Sequence, residues 1–446
     1  MKTHLLYFFT IIFSFTLSAQ TTSYYVKAGG ANVAGGGLSE AAAFSTVSYA
    51  VGAAVDGDKI IVVGSINHPG QVAVDKSLTF EGQTDAVITS TNTEGKRMFA
   101  LEAAANGKSI TFKNITLQNA NSSFQGAVFS LTGTNTDLII DNCTFLNNAT
   151  TSNGGVILAG GTGNLTISNS LFNGNSAVEG GAIRITTVGR KLILSQSTFV
   201  NNSASLKGGA LYAAGNNTTS SITNTTFYNN TVFHATLNQQ KGGAILIEGT
   251  RPFTIVNCLI YGNNVIDGNS PVGTNSSDIG IGNDNNIQLT LTNSITNKIV
   301  PALSGNDVFS SSIIEADLSA SNLRFDAPLG KVIYDNVAVG VHSPIDFGSD
   351  GNDAGSWDSG YTLSFEHLDK KDVLVFYQKQ TKSLFVQHSA NNPLKIDVYN
   401  VLGAKVMSKF DIEDNESIDV SSLKSGVYFV LLQNKNNAIT KKVLIQ

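Results

Sequence analysis

The side chains with the most promising spacing for acid–base chemistry lie in the middle of the chain. Three of them stand directly before a Gly-Gly pair and two follow such a pair at a fixed distance, namely Glu179, Lys207 and Lys241 before it and Arg184 and Tyr212 after it. A polysaccharide lyase needs a base such as Lys or Arg and a group that neutralises the uronate. These five residues are the types that such a site uses.

The alternative interpretation of this cluster is a row of surface ion pairs, and we prefer it. Glu179 would pair with Lys207, which contributes a few tenths to about 1 kcal/mol. A glycosidase needs two carboxylates either about 5 to 5.5 Å or about 6.5 to 9.5 Å apart. Within the regular part of the sequence Glu179 and Glu248 stand isolated, and no Asp-Asp pair is stacked. We therefore predict no catalytic residue.

Metal and cofactor sites are not expected either. Cys143 and Cys258 form no CxxC pair, and the 6 histidines are scattered singly. The acidic segment Asp350-Gly351-Asn352-Asp353 has oxygen ligands that suit Ca²⁺. Its spacing matches no known calcium loop, so a solvated turn between two domains is the preferred interpretation.

An internal repeat dominates the sequence and must position these side chains. Its anchor is a polar residue that recurs at steps of 28, 27, 27, 28 and 33, at Asn114, Asn142, Asn169, Gln196, Asn224 and Asn257. Mostly large apolar residues stand two and four positions before the anchor and three positions after it. The alternation before the anchor has period two, which predicts a strand with these columns and the anchor on one face.

A second marker keeps the same period. Gly-Gly or Gly-Ala precedes a short apolar strand, beginning at Gly126, Gly154, Gly180, Gly208 and Gly242. The pattern predicts a coil of several short strands, each paired in parallel with its equivalent about 4.8 Å away in the next coil. Stacked apolar columns would form a continuous core. Stacked Asn side chains would satisfy one another along a ladder.

The GGAI and FxxN elements of residues 110–265 resemble the repeats of polymorphic outer-membrane proteins and related bacterial right-handed parallel β-helix proteins. Upstream, residues 44–51, 57–63 and 77–82 resemble the opening coils and amphipathic cap helix of pectate-lyase-like proteins. Such a cap is expected because an open end exposes unpaired backbone. The resemblance implies an all-β, right-handed parallel β-helix over residues 20–360, with less regular closing coils near residues 289–291 and 312–314.

The two cysteines occupy one column of this repeat, each directly after an anchor. Four coil steps separate Cys143 from Cys258, which corresponds to roughly 19 Å. A disulfide requires Cα atoms within about 7 Å. We therefore predict two unpaired thiols.

The first residues have the layout of a signal peptide. Lys2 precedes an apolar run from Leu5 to Leu17, and Ser18-Ala19-Gln20 offers a cleavage site after Ala19. The run is shorter than the roughly 20 apolar residues that cross a bilayer as a helix. We expect residues 1–19 to be a cleaved leader.

The last residues, 361–446, are interpreted as a small Ig-like antiparallel β-sandwich with turns at Leu402-Gly403 and Ser425-Gly426. The YNxxG and SLxxGVY motifs and the final basic-apolar strand resemble the type A C-terminal sorting domain of the type IX secretion system of Bacteroidetes. That resemblance implies secretion machinery as the partner, removal of the domain, and attachment to surface lipopolysaccharide or release. An ordinary Ig-like binding module is the alternative.

Composition narrows the function further. The net charge of -5 and the 14% of charged residues provide no basic stripe, so nucleic acid is not an expected partner.

Three functions remain for the expected monomer: an adhesin or structural surface protein, a polysaccharide lyase or glycoside hydrolase, and a glycan-binding protein whose exposed tyrosines Tyr212, Tyr228 and Tyr261 stack on sugars. We prefer the first because the repeat is regular and contains no acid–base constellation. Its ligand would be a glycan or a host or cell surface.

Overall fold

The computed structural model describes residues 21–83, 85–186, 189–215, 219–234, 242–249, 252–267, 270–271, 278–282, 288–296, 299–301, 308–313, 323–326, 331–336, 341–343, 373–379, 381–388, 394–400, 405–412, 415–433 and 438–445. Contacts divide the chain into a first unit, residues 1–170 and 174–191, and a second unit, residues 171–173 and 192–446. Each unit is described by itself.

The first unit consists of four parallel sheets that successive coils extend by one strand each. Sheet A contains Ser23–Lys27, Lys59–Val63, Thr79–Gly82, Ser109–Lys113, Asp137–Asp141 and Gly163–Ser168. Sheet B contains Ser65–His68, Val87–Ser90, Thr116–Gln118 and Thr144–Leu146. Sheet C contains Val72–Ala73, Phe99–Leu101, Phe129–Leu131, Ile157–Ala159 and Ile183–Ile185, and sheet D contains Asn121–Ser122, Ala149–Thr150 and Ser176–Glu179.

A short helix, Val47–Ala53, lies near the start of this unit. The Thr46 hydroxyl caps it by accepting from the backbone N–H of Tyr49 at 3.3 Å. Val47, Ala50 and Val51 are buried, so the helix is amphipathic as expected of a cap. One turn of 3₁₀ helix, Ala103–Ala105, follows a strand of sheet C.

The second unit continues the same plan. Sheet A contains Arg190–Ser195, whose first two residues belong to the first unit, and Ser220–Thr223, Pro252–Val256, Gln288–Thr296 and Val308–Ile313. Sheet B contains Leu171–Asn173, Thr198–Val200, Thr226–Tyr228 and Leu259–Tyr261. Sheet C contains Leu211–Ala213, Ile245–Ile247, Ile279–Ile281 and Ile299–Pro301. Sheet D contains Ser203–Lys207, Thr231–His234 and Asn264–Asp267, which pairs antiparallel with Ser270–Pro271.

Antiparallel sheets follow within the second unit. One contains Leu323–Asp326, Lys331–Asn336 and Val341–Ser343. A three-stranded sheet contains Val373–Gln378, Ser383–His388 and Glu416–Asp419, and a four-stranded sheet contains Lys405–Ile412, Leu394–Asn400, Gly426–Gln433 and Ala438–Ile445 in that spatial order. Both face a shared apolar core that includes Val386, Ile396 and Val430. The all-β prediction, a parallel β-helix followed by a small antiparallel domain, is confirmed.

Stacked aromatic rings show that the predicted repeat register is correct. The ring centroids of Phe172 and Phe199 are 4.4 Å apart, and those of Phe199 and Phe227 are 4.8 Å apart. These distances match the spacing between parallel strands. All three rings are fully buried.

Most of the anchor residues, in contrast, do not face the core as predicted, and only Asn257 among the six is buried. Asn114 and Asn142 follow the last residue of a sheet A strand, have φ angles of 58° and 50°, and are exposed. Asn is the non-glycine residue that best tolerates this left-handed conformation, because its short side chain can hydrogen-bond locally. The repeating Asn therefore turns the chain from sheet A into sheet B.

The buried amide ladder is built instead from the Asn that directly follows a left-handed turn residue after each sheet B strand. In the first unit, the backbone N–H and Nδ2 of Asn148 both donate to Oδ1 of Asn175, at 3.0 and 3.1 Å. In the second unit the same double hydrogen bond links Asn202 to Asn230 and Asn230 to Asn263. The Asp278 carboxylate accepts from Asn263 and terminates this series.

Both cysteines are free and buried, directly after a left-handed anchor. The Cys143 and Cys258 thiols contact the carbonyl oxygens two residues earlier, at 3.5 and 3.2 Å. Ser170 makes the equivalent bond with its hydroxyl at 2.6 Å. Burial raises the pKa of both thiols to about 12, so neither is a nucleophile at neutral pH.

Candidate functional site

Sheet C positions the side chains that the sequence analysis singled out. In its strand Ile183–Ile185 the two isoleucines point into the core and Arg184 points outward. The preceding Gly180 has a φ of 63°, and a Cβ built on it would lie 2.1 Å from the Ile183 carbonyl oxygen. Glycine is therefore required at this turn, and the turn places Glu179 beside the outward face of the strand.

In the first unit, Glu179 and Arg184 form an ion pair. Arg184 Nε donates to Glu179 Oε2 at 3.1 Å, and the side chains of Arg184 and Glu179 are only 11% and 20% exposed. Arg184 also donates to the adjacent carbonyl of Ile185. These two contacts hold the Arg184 guanidinium against the strand. The Glu179 carboxylate is bound by the guanidinium.

In the second unit, three side chains form a closed polar cluster. Lys207 Nζ lies 2.9 Å from Glu248 Oε1 and 3.4 Å from the Tyr212 hydroxyl. The Tyr212 hydroxyl donates to the other oxygen of Glu248. Lys207 Nζ also lies 5.2 Å from the centroid of the Tyr212 ring, within the range of a cation–π contact.

The sequence interpretation of this face is partly wrong. Glu248 was expected to be isolated, yet it binds both Lys207 and Tyr212. Glu179, the last residue of a sheet D strand, pairs with Arg184 in the sheet C strand that follows, where Lys207 had been predicted as its partner. Lys241 lies outside the described residues, as does the acidic segment 350–353.

The tyrosines proposed for sugar stacking are more buried than the sequence suggested. Tyr212 is 4% exposed and Tyr261 is 8% exposed. Tyr228 is half-buried, and burial raises the pKa of its hydroxyl. Little ring surface is left for stacking on a sugar.

Another polar cluster on sheet C of the first unit was missed. Arg97 Nη1 binds Glu102 Oε1 at 2.6 Å, and the same oxygen accepts from the buried Ser130 hydroxyl at 3.0 Å. The guanidinium lies 5.5 Å from the centroid of the Phe124 ring. The signal in the sequence was that Glu102, like Glu248, directly follows a sheet C strand.

These contacts determine what the face can do chemically. Glu102, Glu179 and Glu248 are each held by a neighbouring cation. A carboxylate that an adjacent cation already binds can contact a substrate only if that cation moves away. Among the residues that the structure describes, no three His, Cys, Asp or Glu side chains are arranged to hold a metal ion.

Comparison with known families identifies the last segment. Residues 380–446 match the model of the secretion system C-terminal sorting domain. The chain carries a type IX sorting domain. All four strands of the four-stranded antiparallel sheet lie inside the matched segment.

The repeats match a second family model. Residues 142–160, 196–214 and 224–248 match the Chlamydia polymorphic membrane protein repeat, so the resemblance given by the GGAI and FxxN elements is confirmed. With the sorting domain, these repeats identify a secreted or outer-membrane surface protein. Within the described ranges, no helix has the length and apolar character needed to cross a membrane.

Other comparisons add little. No curated protein matches the chain. Among solved structures, a rhamnogalacturonan lyase is 14% identical with a TM-score of 0.32, and the alignment covers 72% of this chain and 96% of the lyase. A likeness this weak carries no information on activity.

Proposed function

We propose that this sorted surface protein is a non-enzymatic adhesin or structural surface protein. The observation that supports the proposal best is the mutual neutralisation of charges on sheet C. Arg97, Arg184 and Lys207 each bind a glutamate within the same unit, and Tyr212 is buried against the third pair. These pairs contribute modestly to the stability of the coils, and a substrate would have to displace a cation to reach any of the three carboxylates.

The export route forms part of the proposal. Residues 1–19 would act as a signal peptide, residues 20–360 as the displayed β-helix and residues 361–446 as the sorting unit of a Bacteroidetes protein. The mature protein would be attached to surface lipopolysaccharide or released, and would bind a glycan or a host or cell surface as a monomer.

Deleting residues 394–446 should trap the protein in the periplasm. The deletion removes every strand of the four-stranded sheet, so the sorting domain cannot fold. Cell fractionation and protease accessibility of intact cells measure the result, with the full chain as control. Normal appearance of the truncated chain at the surface would contradict the assignment of export to this segment.

We expect no lyase or hydrolase turnover on a panel of common polysaccharides. The measurements are release of reducing sugar and absorbance of unsaturated uronate, with glycan-array binding to separate an adhesin from a glycan-binding protein. Activity that is lost in Lys207→Ala or Arg184→Ala, but retained in the control Lys191→Ala, would overturn the proposal.

One observation favours the enzyme alternative, a polysaccharide lyase or glycoside hydrolase. The Tyr212 hydroxyl contacts both Lys207 and Glu248, and such a contact can activate a phenol as a proton carrier. The burial of Tyr212 argues against this role, because the hydroxyl must reach a substrate. The same polysaccharide panel decides between the two proposals.

A further inference from the structure

The outer face of the four-stranded sheet in the sorting domain has a chemistry of its own. Along Gly426–Gln433, Tyr428, Val430 and Leu432 are buried, whereas Phe429 is 38% exposed. Alternation along a strand places Phe429 on the outer side. We call this surface the sorting face and define it by Lys395, Asp397, Tyr399, Lys405, Phe429 and Leu431.

A charge cluster lies on the sorting face. Asp397 is 2% exposed and binds Lys395 Nζ at 3.0 Å and Lys405 Nζ at 3.7 Å. Burial alone would raise the pKa of Asp397, but the Ser408 hydroxyl and the two lysines outweigh it and lower that pKa. Lys405 is 48% exposed, so its charge reaches the surface of the sheet.

Aromatic residues lie beside this cluster. Tyr399 is directly opposite Phe429 in the antiparallel pairing, and Asp397 is opposite Leu431. Phe429 pairs with Tyr399 on one neighbouring strand and with Lys442 on the other, the strand Ala438–Ile445. Aromatic residues are enriched at the centres of protein interfaces, whereas charged residues such as lysine lie mainly at the polar rim.

The opposite outer face of the domain has a different character. Phe376 and Phe385 pack there with ring centroids 5.2 Å apart, opposite Ser417 on the third strand. Phe376 belongs to the strand Val373–Gln378, which precedes the matched sorting segment. Only the sorting face is built entirely from residues of that segment.

From these observations we propose that the sorting face is the surface that docks on the type IX secretion machinery. Phe429 is the apolar anchor and the lysine pair provides the positive rim. The complementary partner surface is an apolar pocket with an acidic rim, since opposite charges orient an encounter and an aromatic anchor supplies affinity. The inference rests on the sorting domain and does not depend on the adhesin role.

The test is made on the full chain in its own host. Phe429→Ser and Lys405→Glu each change the sorting face, and Phe376→Ser changes an exposed phenylalanine on the opposite face as a matched control. The surface fraction is measured by protease accessibility of intact cells. Each purified variant is checked for unchanged resistance of the sorting domain to proteolysis.

We expect Phe429→Ser to lower the surface fraction about tenfold. Lys405→Glu should lower it in the same direction, and this variant is scored only when its sorting domain resists proteolysis like the unchanged chain, because the new carboxylate lies beside Asp397. Phe376→Ser should be exported normally. The proposal is overturned if folded Phe429→Ser and Lys405→Glu chains both reach the surface normally, or if Phe376→Ser is retained equally.

Discussion

Replacing Asn230 by Leu should lower the free energy of unfolding of the repeat region by on the order of 4 kcal/mol. Asn230 is fully buried, and its Oδ1 accepts from the backbone N–H and Nδ2 of Asn202 at 3.0 and 2.9 Å. Its Nδ2 donates to the carbonyl oxygen of Phe199 at 2.9 Å. Leucine has a similar volume but leaves these groups without partners, each at a cost of about 1 to 3 kcal/mol.

The neighbouring residue provides a matched control. Asn229 is exposed, has a φ of 53°, and donates through Nδ2 to Asn201. Glycine accepts that φ without strain, so Asn229→Gly should change stability by less than about 1 kcal/mol. Urea unfolding followed by circular dichroism compares the two variants. Equal midpoints for both would show that the buried ladder is not a source of stability.

The contrast between Asn229 and Asn230 also shows how far the sequence could be interpreted. Period two and the recurring phenylalanines predicted parallel strands in the correct register, because burial of one face leaves few alternatives. The same reasoning placed the recurring anchor on the core face, where the structure has a left-handed turn. Periodicity does not separate the last strand residue from the turn residue that follows it, since both continue the alternation.

The polar clusters on sheet C were predictable only in part. Arg184 and Tyr212 stand at the same distance after Gly-Gly, so their common outward direction followed from the repeat. The ion-pair partners of these side chains could not be predicted from the repeat. Lys207 and Glu248 are 41 residues apart, and the step between their coils is irregular. Long side chains can reach several neighbours, and which ion pair forms depends on local geometry that one sequence does not encode.

Arg190 is a residue that the repeat pattern could not identify, and its replacement should have the largest effect in the first unit. It is the largest fully buried side chain there, with 0% exposure. Its guanidinium donates to the carbonyl oxygens of Gly160, Thr136 and Gly133 at 2.7, 2.6 and 3.1 Å. These carbonyls belong to turns of two earlier coils, so one side chain joins both turns, in addition to the bond that the backbone N–H of Thr162 donates to the Gly133 carbonyl at 3.3 Å.

Arg190→Met should therefore destabilise the first unit by on the order of 5 kcal/mol, since methionine fills the space but donates to none of the three carbonyls. Burial lowers the pKa of Arg190 to about 10, which still leaves it charged at neutral pH. Lys191→Met is the control, because Lys191 is half-exposed and adjacent. Thermal unfolding and hydrogen exchange at residues 133–164 measure the difference. Equal stability of the two variants would mean that solvent, and not the guanidinium, satisfies those turns.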